Sequence, residues 1–242
     1  MRAMKIGPML LGPILLAGCM TLAPPPVLQP APDGLIPPNG GQTPRGAAQT
    51  FVGVVGAVEP VAETMCRQLS SGQSCNLQIV VDDRPDQPPN AFQTVDRLGR
   101  PIVGFTLALI ADAQNADEIA FVMGHEAAHH ILGHIPKREQ SALNSAILAG
   151  VLAQAGGATP ETIRAAQDLG AEIGSRTYSK DFELEADGLG AEIALIAGFD
   201  PVRGAQFFSR LPDPGDQFLG SHPRNSERQA MVRETVARLT GS

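Results

Sequence analysis

His125, Glu126 and His129 fall inside residues 115–135, a run whose apolar residues recur at helical spacing. Asn115 and Asp117 supply a helix start and Pro136 a stop. On a helix, residues four apart lie about 40° from one another, so both imidazoles reach one metal ion. Glu126 is rotated about 100° from His125, beside such an ion rather than on it, where it is a candidate general base. His130 and His134 lie about 140° and 180° from His125, point elsewhere, and are read as packing or hydrogen-bonding residues. A catalytic zinc takes three protein ligands and keeps one position open, so this helix is one ligand short. Whatever fold the chain adopts must bring a second element to it.

The candidate is Glu183, in Phe182-Glu183-Leu184-Glu185-Ala186-Asp187. Glu183 and Asp187 are four apart and share a helical face. Glu185 is about 200° from Glu183 and belongs to the opposite face. Asp187 is placed to accept a hydrogen bond from a ligand histidine and fix its tautomer. A set of two imidazoles and a carboxylate suits zinc, one ion per chain.

Composition excludes several classes. With 242 residues, 43% hydrophobic and 18% charged, the chain can bury a core and is not disordered throughout. A net charge of −7, no tryptophan and one tyrosine leave no basic surface or stacking platform, so no nucleic-acid partner is expected.

The N-terminus reads as an address. Arg2 and Lys5 precede an apolar run at residues 6–16, and Leu16-Ala17-Gly18-Cys19 follows at once, as in a secretory signal peptide. Those four residues resemble the lipobox of bacterial lipoproteins. The resemblance implies cleavage after residue 18, lipidation of Cys19 and a stable membrane anchor. Met20 in place of aspartate implies the outer membrane of a Gram-negative bacterium. Residues 20–45 hold eight prolines and three glycines, an extended linker that holds a domain off the membrane. The expected organisation is a signal peptide at 1–18, lipidated Cys19 and linker at 19–45, and one domain at 46–242. With Cys19 lipidated, Cys66 and Cys75 remain. In an oxidising compartment they either close a short disulfide loop or stand as two buried thiols.

The domain reads as α+β and mostly α-helical. A helix from about residue 47 is broken or restarted at Pro60. Strands are expected at 77–81 and 102–106, on either side of a proline-rich turn at 82–89. Later helices are expected at 141–155, 160–173, 180–197, 201–211 and 226–239. Residues 141–155 are nearly all small and apolar, too short to span a bilayer, and read as a buried core helix.

Four segments carry a family resemblance. They are Pro89-Asn90-Ala91-Phe92 with residues 99–106, residues 117–129, residues 178–187 continued by 197–201, and Ser221-His222-Pro223 with Arg228. Together they resemble the gluzincin metallopeptidases of the HtpX and CAAX-prenyl-protease family, in its soluble periplasmic lipoprotein branch, from about residue 47 onward. The resemblance implies a zincin-like metallopeptidase domain with a small sheet beside the two-histidine helix. It implies His125, His129 and Glu183 as zinc ligands and Glu126 as base. His222 would then stabilise the oxyanion or occupy the open zinc position as a latch, and Arg228 would line or brace the site. Lys180 and Gly188 depart from the family pattern, which usually has arginine and a basic residue there. The strand at 102–106, as an edge strand of the active site, would hold an extended substrate by backbone pairing. The expected function is a quality-control endopeptidase acting on unfolded or misassembled envelope proteins. The alternative is an assembly chaperone, a partner of the outer-membrane assembly machinery with a latent zinc site.

Overall fold

The computed structural model describes residues 43–177, 179–213 and 222–241. The expected signal peptide, Cys19 and the expected linker up to residue 42 lie outside the described residues, as do Tyr178 and Ser221. The first helix, α1 (Pro44–Leu69), starts at Thr43, whose hydroxyl accepts from the Gly46 amide at 3.1 Å, with Pro44 in the first turn. Pro60 was expected to break it and does not: the helix runs straight through. Proline at 60 removes one backbone hydrogen bond, and its ring crowds the carbonyl of residue 56, a glycine. Burial of Val54, Val58, Ala62 and Cys66 along one stripe spans that gap and outweighs it.

Three strands follow: β1 (Gln78–Asp82), β2 (Ala91–Val95) and β3 (Pro101–Thr106). Their order is β1-β3-β2, with β1 parallel and β2 antiparallel to β3. Residues 102–106 are therefore the central strand, not the expected substrate-binding edge. Both hydrogen-bonding sides of β3 are already used, and β2 is the edge beside the site. Val103 and Phe105 of β3 are buried in the core, where Phe105 meets Phe51 of α1 edge-on at 5.1 Å.

A short α2 (Leu107–Asp112) leads into α3 (Ala116–Ile131), capped by Asn115, whose side chain accepts from the Glu118 amide at 3.1 Å. The helix expected to reach residue 135 ends four residues earlier. Gly133, at φ 67°, turns the chain, and α4 (His134–Ala155) starts in a new direction with Pro136 in its first turn. A proline is tolerated there because the first amides of a helix have no intrahelical partner. It opens this helix rather than closing the one before.

The structure also corrects the burial of residues 141–155. α4 pairs with α5 (Pro160–Arg176) as a hairpin. The small residues form its seam: a Cβ on Gly170 or Gly174 would stand about 2.5 Å from the Ser145 or Ser141 carbonyl oxygen. The opposite face stays open, with Leu148 60% and Leu152 64% exposed. A run of small apolar residues fits a helix–helix seam as well as a core, so composition did not separate the two. No helix among the described residues is long and apolar enough to cross a membrane.

The remaining elements are α6 (Ser179–Ile196), α7 (Pro201–Gly204), a 3₁₀ turn at Ala205–Arg210, and α8 (Asn225–Thr240). α3 lies at the centre, packed against α1, α6, α7 and β2. Its N-terminus is tied down by Asp117 to Arg203 and the Asp200 amide, and by Glu118 to Arg210 through two 2.7 Å bonds. The observed fold is α+β and mostly helical, as expected.

Candidate metal centre

Two glycines set the distance between the helices that build the site. A Cβ on Gly124 would lie 2.6 Å from the Gly190 carbonyl oxygen, and one on Gly190 would lie 2.6 Å from the His125 amide nitrogen. α3 and α6 therefore touch backbone to backbone one residue from His125. Glu183 lies two turns before Gly190 on nearly the same face, so close helices bring its carboxylate to the histidines.

His125 Nε2 and His129 Nε2 stand 3.0 Å apart. Glu183 carboxylate oxygens lie 3.6 Å from the first and 3.5 Å from the second. Donors bound tetrahedrally at about 2.0–2.1 Å to one zinc stand roughly 3.3 Å apart, so this set fits the ion. The chemistry of the donors agrees. Two imidazole nitrogens facing each other at this distance need a cation between them, unless one carries a proton. Among the described residues these three are the group able to hold a metal.

Asp187 is fully buried, and its Oδ1 lies 2.9 Å from His125 Nδ1. As an acceptor-only carboxylate it accepts a hydrogen bond from Nδ1–H and turns Nε2 toward His129 and Glu183. Arg228, from α8, donates to both Asp187 oxygens at 2.7 Å and stands 3.3 Å from Glu183. Its guanidinium lies 3.8 Å over the Phe208 ring, which fixes its plane. His222 Nδ1 is 3.2 Å from Glu183 Oε2, with the ring largely open to solvent. His130, as expected, points away: its Nε2 meets the Ser74 carbonyl at 2.7 Å. Ser74 lies in the loop that Cys66 and Cys75 close as a disulfide, Cα atoms 5.6 Å apart.

His134 is a hydrogen-bonding residue and not part of the metal-holding group, as expected, but it does not point away from the site. Its Nδ1 lies 2.8 Å from His129 Nδ1, and its Nε2 lies 3.2 Å from Glu185. An angle of 180° from His125 holds only on one continuous helix, and α3 ends at Ile131, with Gly133 turning the chain before His134. The signal for the break is Gly133, a glycine where the expected helix would have continued.

The electrostatics follow from burial and charge. Burial raises the Glu126 pKa; His125 opposes the rise and Glu183 adds to it. Burial and the neighbouring His125 hold His129 down to about 3. For His125 burial acts downward, but the hydrogen bond and charge of Asp187 win and raise it. Burial would lift Glu183, yet the His222 hydrogen bond with His125 and Arg228 carries it well below the usual carboxylate range. Two cavities, of about 250 and 300 Å³, meet at Glu126, His129, Glu183 and His222. One extends past Gln93 of β2 and Arg138, the other past Ala91, Phe207 and Leu211.

The sequence profile of Peptidase family M48 matches residues 56–236. The metalloprotease LoiP of Escherichia coli is 28% identical over 172 residues, 69% of this chain and 65% of that protein. A Vibrio cholerae protein named "Putative beta-barrel assembly-enhancing protease" is 38% identical over 140 residues, 52% of this chain and 29% of that protein. Mitochondrial metalloendopeptidase OMA1 of Arabidopsis thaliana is 28% identical over 137 residues, 55% of this chain and 27% of that protein. The chain spans less than two thirds of the length of each of these relatives. No solved structure matches it. The profile covers well over half of the chain and takes in both helices that bring two histidines and a glutamate to one point, so the chain belongs to Peptidase family M48 and carries a metallopeptidase domain of that family.

Proposed function

We propose that the chain is a zinc-dependent endopeptidase of the bacterial cell envelope, degrading misfolded or misassembled envelope proteins. The observation that carries the reading is the convergence of His125, His129 and Glu183 where two cavities meet, with Glu126 lining both. His125, His129 and Glu183 would hold the zinc. When bound, zinc supplies Lewis-acid polarisation of the scissile carbonyl and a more acidic water. Glu126 takes a proton from the attacking water and passes it to the leaving amine, a task its raised pKa suits. Asp187 and Arg228 hold His125 in place. The free edge of β2 pairs with an extended substrate backbone, reading shape more than sequence. A cleft running past the site on both sides suits cleavage within a chain rather than at its end.

The compartment rests on Arg2, Lys5 and the Leu16–Cys19 segment, on the Cys66–Cys75 pair, which suits an oxidising space, and on the name of the Vibrio cholerae relative. Periplasmic exposure and a lipid anchor in the outer membrane follow from that reading, as do the outer-membrane assembly machinery as a partner and membership of the lipoprotein branch of the HtpX-like enzymes.

His222 standing against Glu183 favours a second reading, in which the site is latched and the chain acts as an assembly chaperone. Casein cleavage by the wild type, Glu126→Gln and His222→Ala separates the two. The peptidase reading expects Glu126→Gln to lose about 10²- to 10⁴-fold in rate while keeping its metal. In His222→Ala, a faster rate marks a latch and a slower one a catalytic role. Folded, zinc-loaded protein that cleaves nothing in any form supports the chaperone.

A further inference from the structure

His134 is bound into the metal centre although neither of its nitrogens faces the metal. The ring is 4% exposed and stacks on Phe182, centroids 4.5 Å apart and planes 13° apart. Stacking fixes the plane of the ring and so aims its two nitrogens. Nε2 stands 3.2 Å from Glu185 Oε2, and Nδ1 stands 2.8 Å from Nδ1 of His129. A carboxylate only accepts, so the proton of His134 sits on Nε2. An imidazole with one proton on Nε2 has a bare Nδ1. Its Nδ1 is then an acceptor, and the hydrogen in the second bond belongs to Nδ1 of His129. That leaves Nε2 of His129 without a proton, and this is the nitrogen that faces His125 Nε2 and Glu183.

We propose that Glu185 and His134 form a relay that sets the tautomer and orientation of His129 and so presents its Nε2 to the metal. His134 is a positioning residue and not a ligand. The two ligand histidines are oriented by different devices. His125 leans on a fully buried carboxylate braced by Arg228. His129 leans on a second imidazole whose carboxylate is half exposed. The relay joins α3 to the first residue of α4 and to α6, so the turn at Gly133 is part of the metal centre. This inference rests on the metal-site reading above.

The test uses the full chain, labelled with ¹⁵N-histidine and stripped of metal; it has five histidines to resolve. Long-range ¹H–¹⁵N correlations at neutral pH are expected to show His129 protonated on Nδ1. In His134→Phe, which keeps a ring against Phe182 but has no acceptor, that preference is lost. Zinc affinity, read by chelator competition, then falls about 10- to 100-fold. His134→Gln, whose amide oxygen can accept, recovers part of the loss, which mere filling of space would not achieve. Wild-type His129 protonated on Nε2 overturns the relay, as does His134→Phe binding zinc as tightly as the wild type. If His134→Phe does not fold, the wild-type tautomer decides alone. Failure of the wild type itself to bind zinc sinks the metal reading and this inference with it, and the wild-type titration identifies that case.

Discussion

At the scale of single residues, the centre is organised by which nitrogen carries a proton. Protons and zinc compete for the same imidazoles, so their pKa values set how affinity depends on pH. His125 is raised above 6.5, while His129 is held down to about 3. Near neutral pH, a zinc ion binding there would therefore displace a proton from His125 and none from His129. Apparent zinc affinity is expected to rise tenfold per pH unit between about pH 4 and 6.5, then level off above the raised His125 value. Chelator competition across that range measures the slope. A slope of two, meaning two protons displaced, would contradict the assignment. His125, Glu126, His129, Glu183 and Asp187 were legible because their spacings fall on unbroken helices, where residue number translates directly into angle. His134 and Glu185 were not, because a left-handed glycine lies between His134 and the helix used to place it.

At the scale of elements, helix separation and helix exposure decide how the site is built. Gly190→Ala would set a Cβ 2.6 Å from the His125 amide nitrogen, against backbone that cannot rotate away. Overpacking of this kind costs about 1–3 kcal/mol. Urea unfolding is expected to show that loss, with weaker zinc binding because Glu183 is pushed from the histidines. An unchanged midpoint and affinity would show that the close approach of α3 and α6 does not matter. The α4–α5 hairpin gives the reverse prediction. Leu148→Gln with Leu152→Gln is expected to shift stability by less than about 0.5 kcal/mol per site, as exposed substitutions do. A buried helix would lose several times that. The sheet shows why some elements were unreadable. β2 has no apolar alternation of its own, and only pairing with β3 makes it a strand. Pro60, Pro136 and Gly133 show the same limit. A local breaker acts or fails according to the tertiary burial around it, which one sequence does not display.

At the scale of the whole molecule, the metal centre is where the main packing interfaces cross. α3 gives His125 and His129, α6 gives Glu183, α8 the arginine that braces Asp187, and the start of α4 a further imidazole. The disulfide loop reaches the same helix through Ser74 and His130. A cavity runs between Gln93 of β2 and Arg138 at the hairpin base and reaches Glu126. An ion bound there joins elements far apart in sequence, so it stabilises the fold as well as the reaction. The most direct test is the metal content of the folded chain after dialysis against zinc, beside Glu183→Ala. The account predicts one zinc per wild-type chain and a loss of bound zinc in Glu183→Ala. A folded wild-type chain without zinc, or a Glu183→Ala chain that retains it, would contradict the account.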